Sequence, residues 1–225
     1  MSESLTLRRL GLIDYQTSYQ AMSEYTTQRE SQGLDEVWCL QHPPVYTLGL
    51  AGKPEHILDA GEIPVIESDR GGQVTYHGPG QLLVYLLLDL RRRKIGIKDY
   101  VYLLEQSIID YLDQLGLSAS RRHGAPGVYI EGRKIAALGI RVRRACTYHG
   151  LALNVNMDIS PFSGINPCGY PELEVVQLRD FGLTTGLDEV ADGLLNFLLR
   201  NIIGEPYTVV LKHGLHDLFS DHAAA

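Results

Sequence analysis

The chain has 225 residues, of which 44% are hydrophobic and 21% charged, and its formal net charge is −7. This composition fits one globular domain over residues 1–225, with a tail that we expect to fray from about residue 213. The negative charge disfavours nucleic-acid and anionic-membrane partners. The first residues do not resemble a secretory signal, and no apolar run is long enough for a bilayer span. Three widely spaced cysteines form no disulfide framework. We therefore expect a cytoplasmic protein.

Hydrophobic patterning in the first half of the chain predicts one weakly marked helix and several strands. The helical pattern covers residues 18–29. Residues 36–40 and 44–48 have the composition of short strands on either side of the His42-Pro43 turn. Residues 82–88 are continuously apolar, which indicates a strand buried on both faces.

The second half of the chain predicts two stronger helices with strands between them. Apolar residues three or four apart mark helices at 101–115 and 190–202, and each should cover a face of a sheet. Residues 127–130 and 134–143 predict a hairpin, followed by a strand at 148–155. We therefore predict an α+β fold whose sheets are mostly antiparallel or mixed and are flanked by helices.

A segment rich in glycine and proline, residues 69–81, is the first candidate for ligand binding. Its backbone amides and Arg70 can approach a ligand closely. It lacks the Gly-Lys-Ser/Thr ending of a phosphate-binding P-loop. On composition alone a turn-rich hairpin with a surface arginine is the simpler interpretation, so a ligand site here needs support from other parts of the chain.

Two side chains further along are suited to acyl-transfer chemistry. Lys134 is the one lysine between Lys98 and Lys212, a stretch that has eight arginines. An amine can lose its proton, whereas a guanidinium cannot. Cys168 lies in Ile-Asn-Pro-Cys-Gly-Tyr, where proline and glycine favour a loop over a packed core. A reactive thiol and a titratable amine form a nucleophile and its base.

Other thiols and other functions fit parts of this pattern. Cys146 precedes His149 by three residues and rivals Cys168 as nucleophile. Strand alternation would, however, point Cys146 and His149 to opposite faces. His149 and His77 are then expected as hydrogen-bonding residues of the pocket. Cys39 is expected in the core. No Cys-x-x-Cys or His-Glu-x-x-His pattern indicates a metal site. A cysteine-dependent thioesterase and a non-catalytic fatty-acyl binding module are the alternative functions.

Four motifs occur together and in one order. They are Arg-Gly-Gly-Gln-Val-Thr-Tyr-His-Gly-Pro-Gly-Gln, Gly-Val-Tyr with Lys-Ile-Ala-Ala-Leu-Gly, His-Gly-Leu-Ala-Leu-Asn-Val and Ile-Asn-Pro-Cys-Gly. Over roughly residues 10–178 this combination resembles the octanoyltransferases of the lipoate pathway. The resemblance implies a fold like the catalytic domain of the biotin and lipoate protein ligases. An ATP-using ligase of that fold is disfavoured, because adenylate chemistry needs no thiol nucleophile.

The resemblance also implies a reaction and its partners. An octanoyl group would pass from octanoyl-acyl carrier protein to a lysine of a lipoyl domain, through a cysteine thioester and without ATP or metal. The acceptors would be the E2 subunits of 2-oxoacid dehydrogenases and the H protein of glycine cleavage. The acidic carrier would dock on one of two basic clusters, residues 91–94 or 141–144.

Matched position by position, the resemblance assigns the site residues. Cys168 is implied as the acyl-thioester nucleophile and Lys134 as the lysine that lowers the pKa of its thiol. Lys134 would also accept the proton of the acceptor amine, and backbone amides of Gly71, Gly72, Leu138, Gly139 or Gly150 would stabilise the oxyanion. The implied substrate pocket consists of Arg70, Gly71, Gly72, Gln73, Val74, Thr75, Tyr76, His77, Ala137, Leu138, Gly139, Gly150, Leu151 and Ala152. Some family members have serine where this chain has Ala137.

Overall fold

The computed structural model describes residues 3–29, 33–204 and 206–218. Its larger sheet contains the strands β1 Glu3–Leu12, β2 Asp35–Gln41, β6 Gln81–Leu87, β7 Ser120–Arg121, β8 Gly127–Ile130, β9 Arg133–Arg143, β10 Cys146–Asn154 and β11 Tyr207–His213. The spatial order of these eight strands is β11-β1-β2-β6-β10-β9-β8-β7. Strand β1 pairs in parallel with β2 and β11, and the other neighbours are antiparallel.

A second, three-stranded sheet contains β3 Val45–Leu48, β4 Val65–Glu67 and β5 Val74–His77, in the order β4-β3-β5. The helices are α1 Tyr15–Gln28, α2 Leu90–Arg93, α3 Ile97–Gln114 and α4 Leu187–Leu198, and α4 continues into a π-helical turn, Leu199–Ile203. Short 3-10 turns lie at Pro54–His56, Ser160–Gly164, Pro167–Gly169 and Leu178–Phe181. These elements confirm the predicted α+β fold with helices around mixed sheets.

Helices cover both faces of the larger sheet. On one face α3 and α4 contribute Leu104 and Leu194 to the principal core. On the other face Met22 and Tyr25 of α1 pack on Trp38. Strand β6 lies between these cores, because Leu82, Val84 and Leu86 join the first and Leu83, Tyr85 and Leu87 join the second. The prediction of a strand buried on both faces is therefore confirmed.

The predicted strands around the His42-Pro43 turn belong to different sheets. Strand β2 lies in the larger sheet and β3 in the smaller one, so the turn carries the chain from one sheet to the other. The return crossing, from β5 to β6, is made by residues 78–80 within segment 69–81. The site described below lies between the two sheets as a result.

The sequence patterns did not predict β1 and β11. In β1 Leu5 and Leu7 share one face, but the opposite face buries Arg8, a charged residue that is 1% exposed. Its guanidinium pairs with Glu36 at 2.8 Å and also with Asp217. Both carboxylates come from distant parts of the chain, so local composition could not indicate that Arg8 would be buried.

The tail expected to fray from about residue 213 is packed where the structure describes it. Asp217 pairs with Arg8, and Leu218 is 3% exposed in the core beside α1. Residues 219–225 lie outside the described part of the chain. Across the described residues, no helix is both long and apolar enough to cross a bilayer.

Candidate active site

Cys168 lies in the tight turn Pro167–Gly169, where its φ is +56°. A non-glycine residue in this left-handed region is strained, and such conformations persist where the surrounding structure requires them. The turn is held by a hydrogen bond from the Gly169 amide to the Asn166 carbonyl, 2.9 Å, and from the Asn166 amide to the His56 carbonyl, 2.8 Å. The half-buried thiol packs against a small apolar cluster, Ala125, Tyr129 and Leu173.

Lys134 reaches this thiol from the start of β9. Its Nζ donates to Cys168 Sγ at 2.9 Å and to the Pro126 carbonyl at 3.1 Å, and the residue is 4% exposed. Burial by itself lowers the pKa of Lys134, but the charge of Cys168 and the hydrogen bond to it raise that pKa above its usual value. The structure thus brings together two side chains that are 34 positions apart in the sequence.

Space for the amine depends on a glycine in the neighbouring strand. Gly127 has a φ of +141°, and a Cβ atom built there would lie 2.8 Å from Lys134 Cε and 3.0 Å from Nζ. A larger residue at 127 would push the lysine away from Cys168. The Gly-Val-Tyr motif of the sequence is therefore explained by close approach of the Lys134 side chain.

Two cavities meet at Cys168. The first, of about 50 Å³, extends between the two sheets, and the second, of about 290 Å³, lies beside Val101 of α3 and residues 124–126. Their walls share Gly72, Gln73, Leu138, Gly139 and Cys168. The sulfur can therefore be approached from both sides, which is the arrangement that a transfer between two substrates needs.

Most of the predicted pocket residues line these cavities. The first is lined by Arg70, Gly72, Gln73, Val74, Thr75, His77, Ala137, Leu138, Gly139, Gly150, Leu151 and Ala152, and the second by Gly71. Tyr76 lines neither cavity and packs against Tyr46 of the smaller sheet and Phe162 of the turn Ser160–Gly164. Adjacent strand residues face opposite sides, and Thr75 and His77 occupy the cavity side.

The interpretation of Arg70 as a surface residue on a turn-rich hairpin is wrong. Arg70 is 8% exposed. Its guanidinium donates to Thr47 Oγ1 at 3.0 Å and to the carbonyls of Gly71 and Gln73 at 2.9 and 2.8 Å. Among the hydrogen bonds of the described residues, all of its acceptors are neutral oxygens. Its positive charge therefore has no paired carboxylate and favours an anion in the adjoining cavity.

One predicted oxyanion donor is already used. The Gly71 amide donates to the Ile140 carbonyl at 3.0 Å, which ties segment 69–81 to β9. A backbone N–H engaged in this way cannot also serve a reaction intermediate without breaking that bond. Of the Gly71 and Gly72 pair, Gly72 is the one that stays a candidate.

His149 enters the first cavity through a strained backbone. Its φ is +59°, although it lies inside β10. The conformation breaks the strand alternation, so the rings of Tyr148 and His149 stack at 5.1 Å and both side chains bond to Asp69. Burial lowers the pKa of His149 despite the Asp69 carboxylate. With Nε2 bonded to Asp69, the buried Nδ1 has no hydrogen-bond partner in the described residues.

Sequence reasoning missed three residues of the first cavity, Tyr15, Leu83 and Tyr85, and six of the second, Val101, Gly124, Ala125, Pro126, Ile140 and Tyr170. Tyr15 is the first residue of α1 and bonds Ser68 Oγ at 2.7 Å. Leu83 and Tyr85 belong to a continuously apolar strand, so their composition indicated core and nothing more. The alternation of β6 could have placed them on one face, but only the neighbouring strands make that face part of a cavity.

The other two cysteines lie outside the site. Cys39 is 5% exposed in the principal core, as predicted, and burial raises its pKa to about 12. Cys146 is 9% exposed, burial raises its pKa, and it lines neither of the two cavities at Cys168. Within the described residues, no group of three or more His, Cys, Asp or Glu side chains could hold a metal ion.

Buried histidines below the first cavity predict loss of stability in acid. His42 is fully buried, its ring nitrogens bond the Ile13 carbonyl at 2.7 Å and the Tyr85 hydroxyl at 2.8 Å, and burial lowers its pKa from 6.5 to about 4. Because the unfolded state binds the proton more readily, this contribution is present above pH 6.5 and is lost as the pH falls towards 4. We expect His42 alone to reduce the free energy of unfolding by on the order of 2 kcal/mol between pH 7 and pH 5.

Urea denaturation at the two pH values measures this difference. His42→Gln should be less stable at pH 7 and should show a shallower dependence on pH. An equal pH dependence in both proteins would contradict the role assigned to His42.

Comparison with known proteins identifies the family of this chain. The family described as Lipoyl protein ligase A/B catalytic domain matches residues 14–198. The octanoyltransferase of Azoarcus sp. (strain BH72) is 56% identical over 202 residues, covering 89% of this chain and 88% of the relative. That of Xanthomonas axonopodis pv. citri (strain 306) is 59% identical over 194 residues, covering 86% and 84%.

A solved structure shares the fold. The crystal structure of lipoate-protein ligase A bound with ATP superposes with a TM-score of 0.71 at 16% identity, covering 94% of this chain and 90% of that one. At this identity the likeness concerns the fold alone, while the two enzymes above are similar along nearly their whole length. This chain therefore belongs to the octanoyltransferases of the lipoyl protein ligase A/B catalytic-domain family.

Proposed function

We propose that this acyltransferase moves an octanoyl group from octanoyl-acyl carrier protein to a lysine of a lipoyl domain through a thioester on Cys168. Octanoyl transfer in protein lipoylation is the activity supported by the relatives. The observation that carries the thioester route is the 2.9 Å contact between Lys134 Nζ and Cys168 Sγ where two cavities meet. The acceptors are the lipoyl domains of 2-oxoacid dehydrogenase E2 subunits and the H protein of glycine cleavage.

In the first half-reaction the Cys168 thiolate attacks the thioester carbonyl of the carrier. The Lys134 ammonium stabilises the thiolate through its hydrogen bond. When the tetrahedral intermediate collapses, the bond to the phosphopantetheine sulfur breaks and Lys134 gives that sulfur its proton. One thioester replaces another, so we propose that the reaction uses neither ATP nor metal.

In the second half-reaction the acceptor amine attacks the acyl group on Cys168 and loses a proton to Lys134. Acylation has removed the negative charge that raised the pKa of Lys134, and the lowering effect of burial then dominates. The same lysine is therefore an ammonium when the thiolate needs stabilising and a free amine when a base is needed. The amide forms, and Cys168 leaves as a thiolate that is again paired with an ammonium.

The test is intact-mass spectrometry of the enzyme mixed with octanoyl-carrier. We expect one octanoyl adduct that maps to Cys168 and disappears when an apo lipoyl domain is added, with octanoyl appearing on the domain. No adduct on Cys168 would contradict the proposed route. Release of octanoate at equal rates with and without the acceptor would indicate a thioesterase instead.

We propose that the carrier docks on a single basic surface formed by both predicted clusters. Arg91 donates to the Arg144 carbonyl at 3.0 Å, which brings the two clusters into contact. Arg91, Arg143 and Arg144 are exposed. Strand β9 leads from Gly139 in the cavity wall to Arg143, about 13 Å away at the usual rise of a strand. An acidic carrier bound there would lie near the entrance to Cys168.

Reversing these charges tests the docking surface. We choose Arg91→Glu, Arg143→Glu and Arg144→Glu, because Arg92 and Arg93 pair with the buried Asp35 and their reversal would disturb the fold. The KM for the carrier should rise on the order of 10-fold and lose salt dependence, with kcat preserved. Arg179→Glu is the control. The Arg179 amide donates to the carbonyl of Val155, which comes directly after the last residue of β10, whereas the basic surface lies at the first residue of that strand. An unchanged KM in the triple variant would reject this surface.

We also propose that the chain acts as one catalytic domain in the cytoplasm. The principal core includes residues from Leu5 to Ile202, which supports one cooperative unit. The three cysteines are free thiols, a state that a reducing compartment maintains.

A further inference from the structure

We propose that Leu83 and Tyr85 of β6 form the end wall of the acyl slot and set the length of the acyl chain that Cys168 accepts. This inference rests on the proposed acyl-enzyme route. It adds two specificity-determining residues that lie outside the four sequence motifs. The wall is defined here as these two side chains.

The slot is a trough of small residues crossing two strands. Ala137 and Gly139 of β9 lie directly opposite Ala152 and Gly150 of β10, and all four line the first cavity. The next strand ends the trough, because Leu83 pairs with Ala152 and Tyr85 with Gly150. Small side chains on two strands leave room for an alkyl chain, and large ones on the third close it.

Cys168 lies at the opposite end of the trough from the wall. The Lys134 amine that contacts its sulfur lies over Gly127 of β8, on the far side of β9. Strands are spaced by about 4.8 Å, so β6 lies about 14 Å from β8, and about 10 Å of this span is free once the end of the chain contacts the wall side chains at about 4 Å. An extended chain advances about 1.2 Å per bond. Eight carbons then span about 8 Å and twelve about 13 Å, so an octanoyl chain fits before the wall and a dodecanoyl chain does not.

Hydrogen bonds keep the wall from retreating. His42 Nδ1 faces the Ile13 carbonyl, which can only accept, so Nε2 accepts from the Tyr85 hydroxyl at 2.8 Å. Burial keeps His42 neutral and raises the pKa of Tyr85, so both groups hold these roles near neutral pH. The ring of Tyr85 also packs edge-on against His149 at 5.9 Å. A rigid wall excludes acyl chains beyond one length, whereas mobile wall side chains would shift to accommodate each added methylene.

Two substitutions should move the length limit in opposite directions. Leu83→Ala opens the wall, and the ratio of decanoyl to octanoyl adduct on Cys168 should rise about 10-fold, the usual scale for fitting or excluding a methylene. Ala152→Val fills the trough in front of the wall, and hexanoyl should gain over octanoyl by a similar factor. A general loss of stability cannot produce opposite shifts.

The experiment is a competition among equimolar hexanoyl-, octanoyl-, decanoyl- and dodecanoyl-carriers, with adducts on Cys168 counted by intact-mass spectrometry. Leu87→Ala is the matched control, because Leu87 lies on the same face of β6 and does not line the slot. It should keep the wild-type profile. The proposal that Leu83 and Tyr85 set the chain length would be rejected if both slot variants kept the wild-type distribution of acyl lengths on Cys168. It would also be rejected if the Leu87→Ala control shifted that distribution equally.

The wild-type enzyme separates this inference from the function on which it rests. An octanoyl adduct on wild-type Cys168 with unshifted slot variants rejects the wall alone. No adduct of any length on the wild-type enzyme rejects the acyl-enzyme route itself. If Leu83→Ala does not fold, the distribution of acyl lengths on Cys168 in Ala152→Val still tests the wall. This variant adds volume to the slot and removes no side-chain atoms from the core.

Discussion

Replacing Cys168 with serine is expected to lower octanoyl transfer by more than about 1,000-fold, the scale seen when a covalent nucleophile is lost. The change replaces sulfur with oxygen and keeps the shape of the Pro167–Gly169 turn, so the fold should be unaffected. A serine hydroxyl holds its proton far more tightly than a thiol, so it stays protonated beside Lys134 and is a weak nucleophile. The measurements are octanoyl transfer to a lipoyl domain and the mass of the enzyme after exposure to octanoyl-carrier.

Cys146→Ser is the matched control for this experiment. Cys146 is a second thiol that lines neither cavity at the site, so its serine variant should transfer octanoyl at close to the normal rate. Equal circular dichroism spectra would show that both variants fold. The nucleophile assignment fails if Cys168→Ser still acquires octanoyl at normal rates or if Cys146→Ser is the inactive variant.

The second large effect is expected at Lys134, where arginine and methionine should separate its two roles. Arginine keeps a positive charge but cannot accept a proton. Methionine has neither property. We expect Lys134→Arg to retain part of Cys168 acylation and to lose transfer to the acceptor by at least about 100-fold, since general-base catalysis contributes 100-fold or more. Lys134→Met should lose both steps.

Single-turnover measurements can follow the two steps separately. Acylation is read from the octanoyl adduct on Cys168, and transfer from decay of that adduct when a lipoyl domain is added. In the normal enzyme the transfer step should accelerate as pH rises through the pKa of Lys134 in the acylated state, because the amine must be neutral. Arginine should abolish this pH dependence. Near-normal transfer in Lys134→Arg would exclude Lys134 as the base.

The regular elements of this fold were largely predictable from local patterns. Helices α1, α3 and α4, the hairpin of β8 and β9, and the doubly buried β6 all occur where periodicity placed them. These elements have side chains whose spacing directly reflects which faces are buried. Strand β1 escaped prediction because a charged residue, Arg8, is buried in it by partners that are distant in sequence.

The candidate site also contains residues that local motifs predicted and residues whose placement depended on tertiary contacts. The motifs named the thiol, the amine and most of the wall of the first cavity, because close backbone approach and a titratable pair require particular residue types at particular spacings. Composition alone favoured a surface position for Arg70, whereas the motif resemblance placed it in the pocket; its burial could not be inferred locally, since its neutral partners Thr47, Gly71 and Gln73 come together only when two sheets meet. His149 turns into the cavity through a positive φ that strand alternation could not indicate.

By itself, the sequence determined the chemistry available to this protein: one titratable amine, one loop thiol and the glycines that let a substrate come close. Tertiary structure alone decided that Lys134 and Cys168 touch, that Arg91 and Arg144 of the two basic clusters come into contact, and that Leu83 and Tyr85 lie beside Ala152 and Gly150 in the wall of the first cavity. The physical reason is that residue type sets what an atom can do, whereas reactivity and specificity depend on distances of a few ångströms. Those distances arise from strand pairing and packing between segments far apart in the chain.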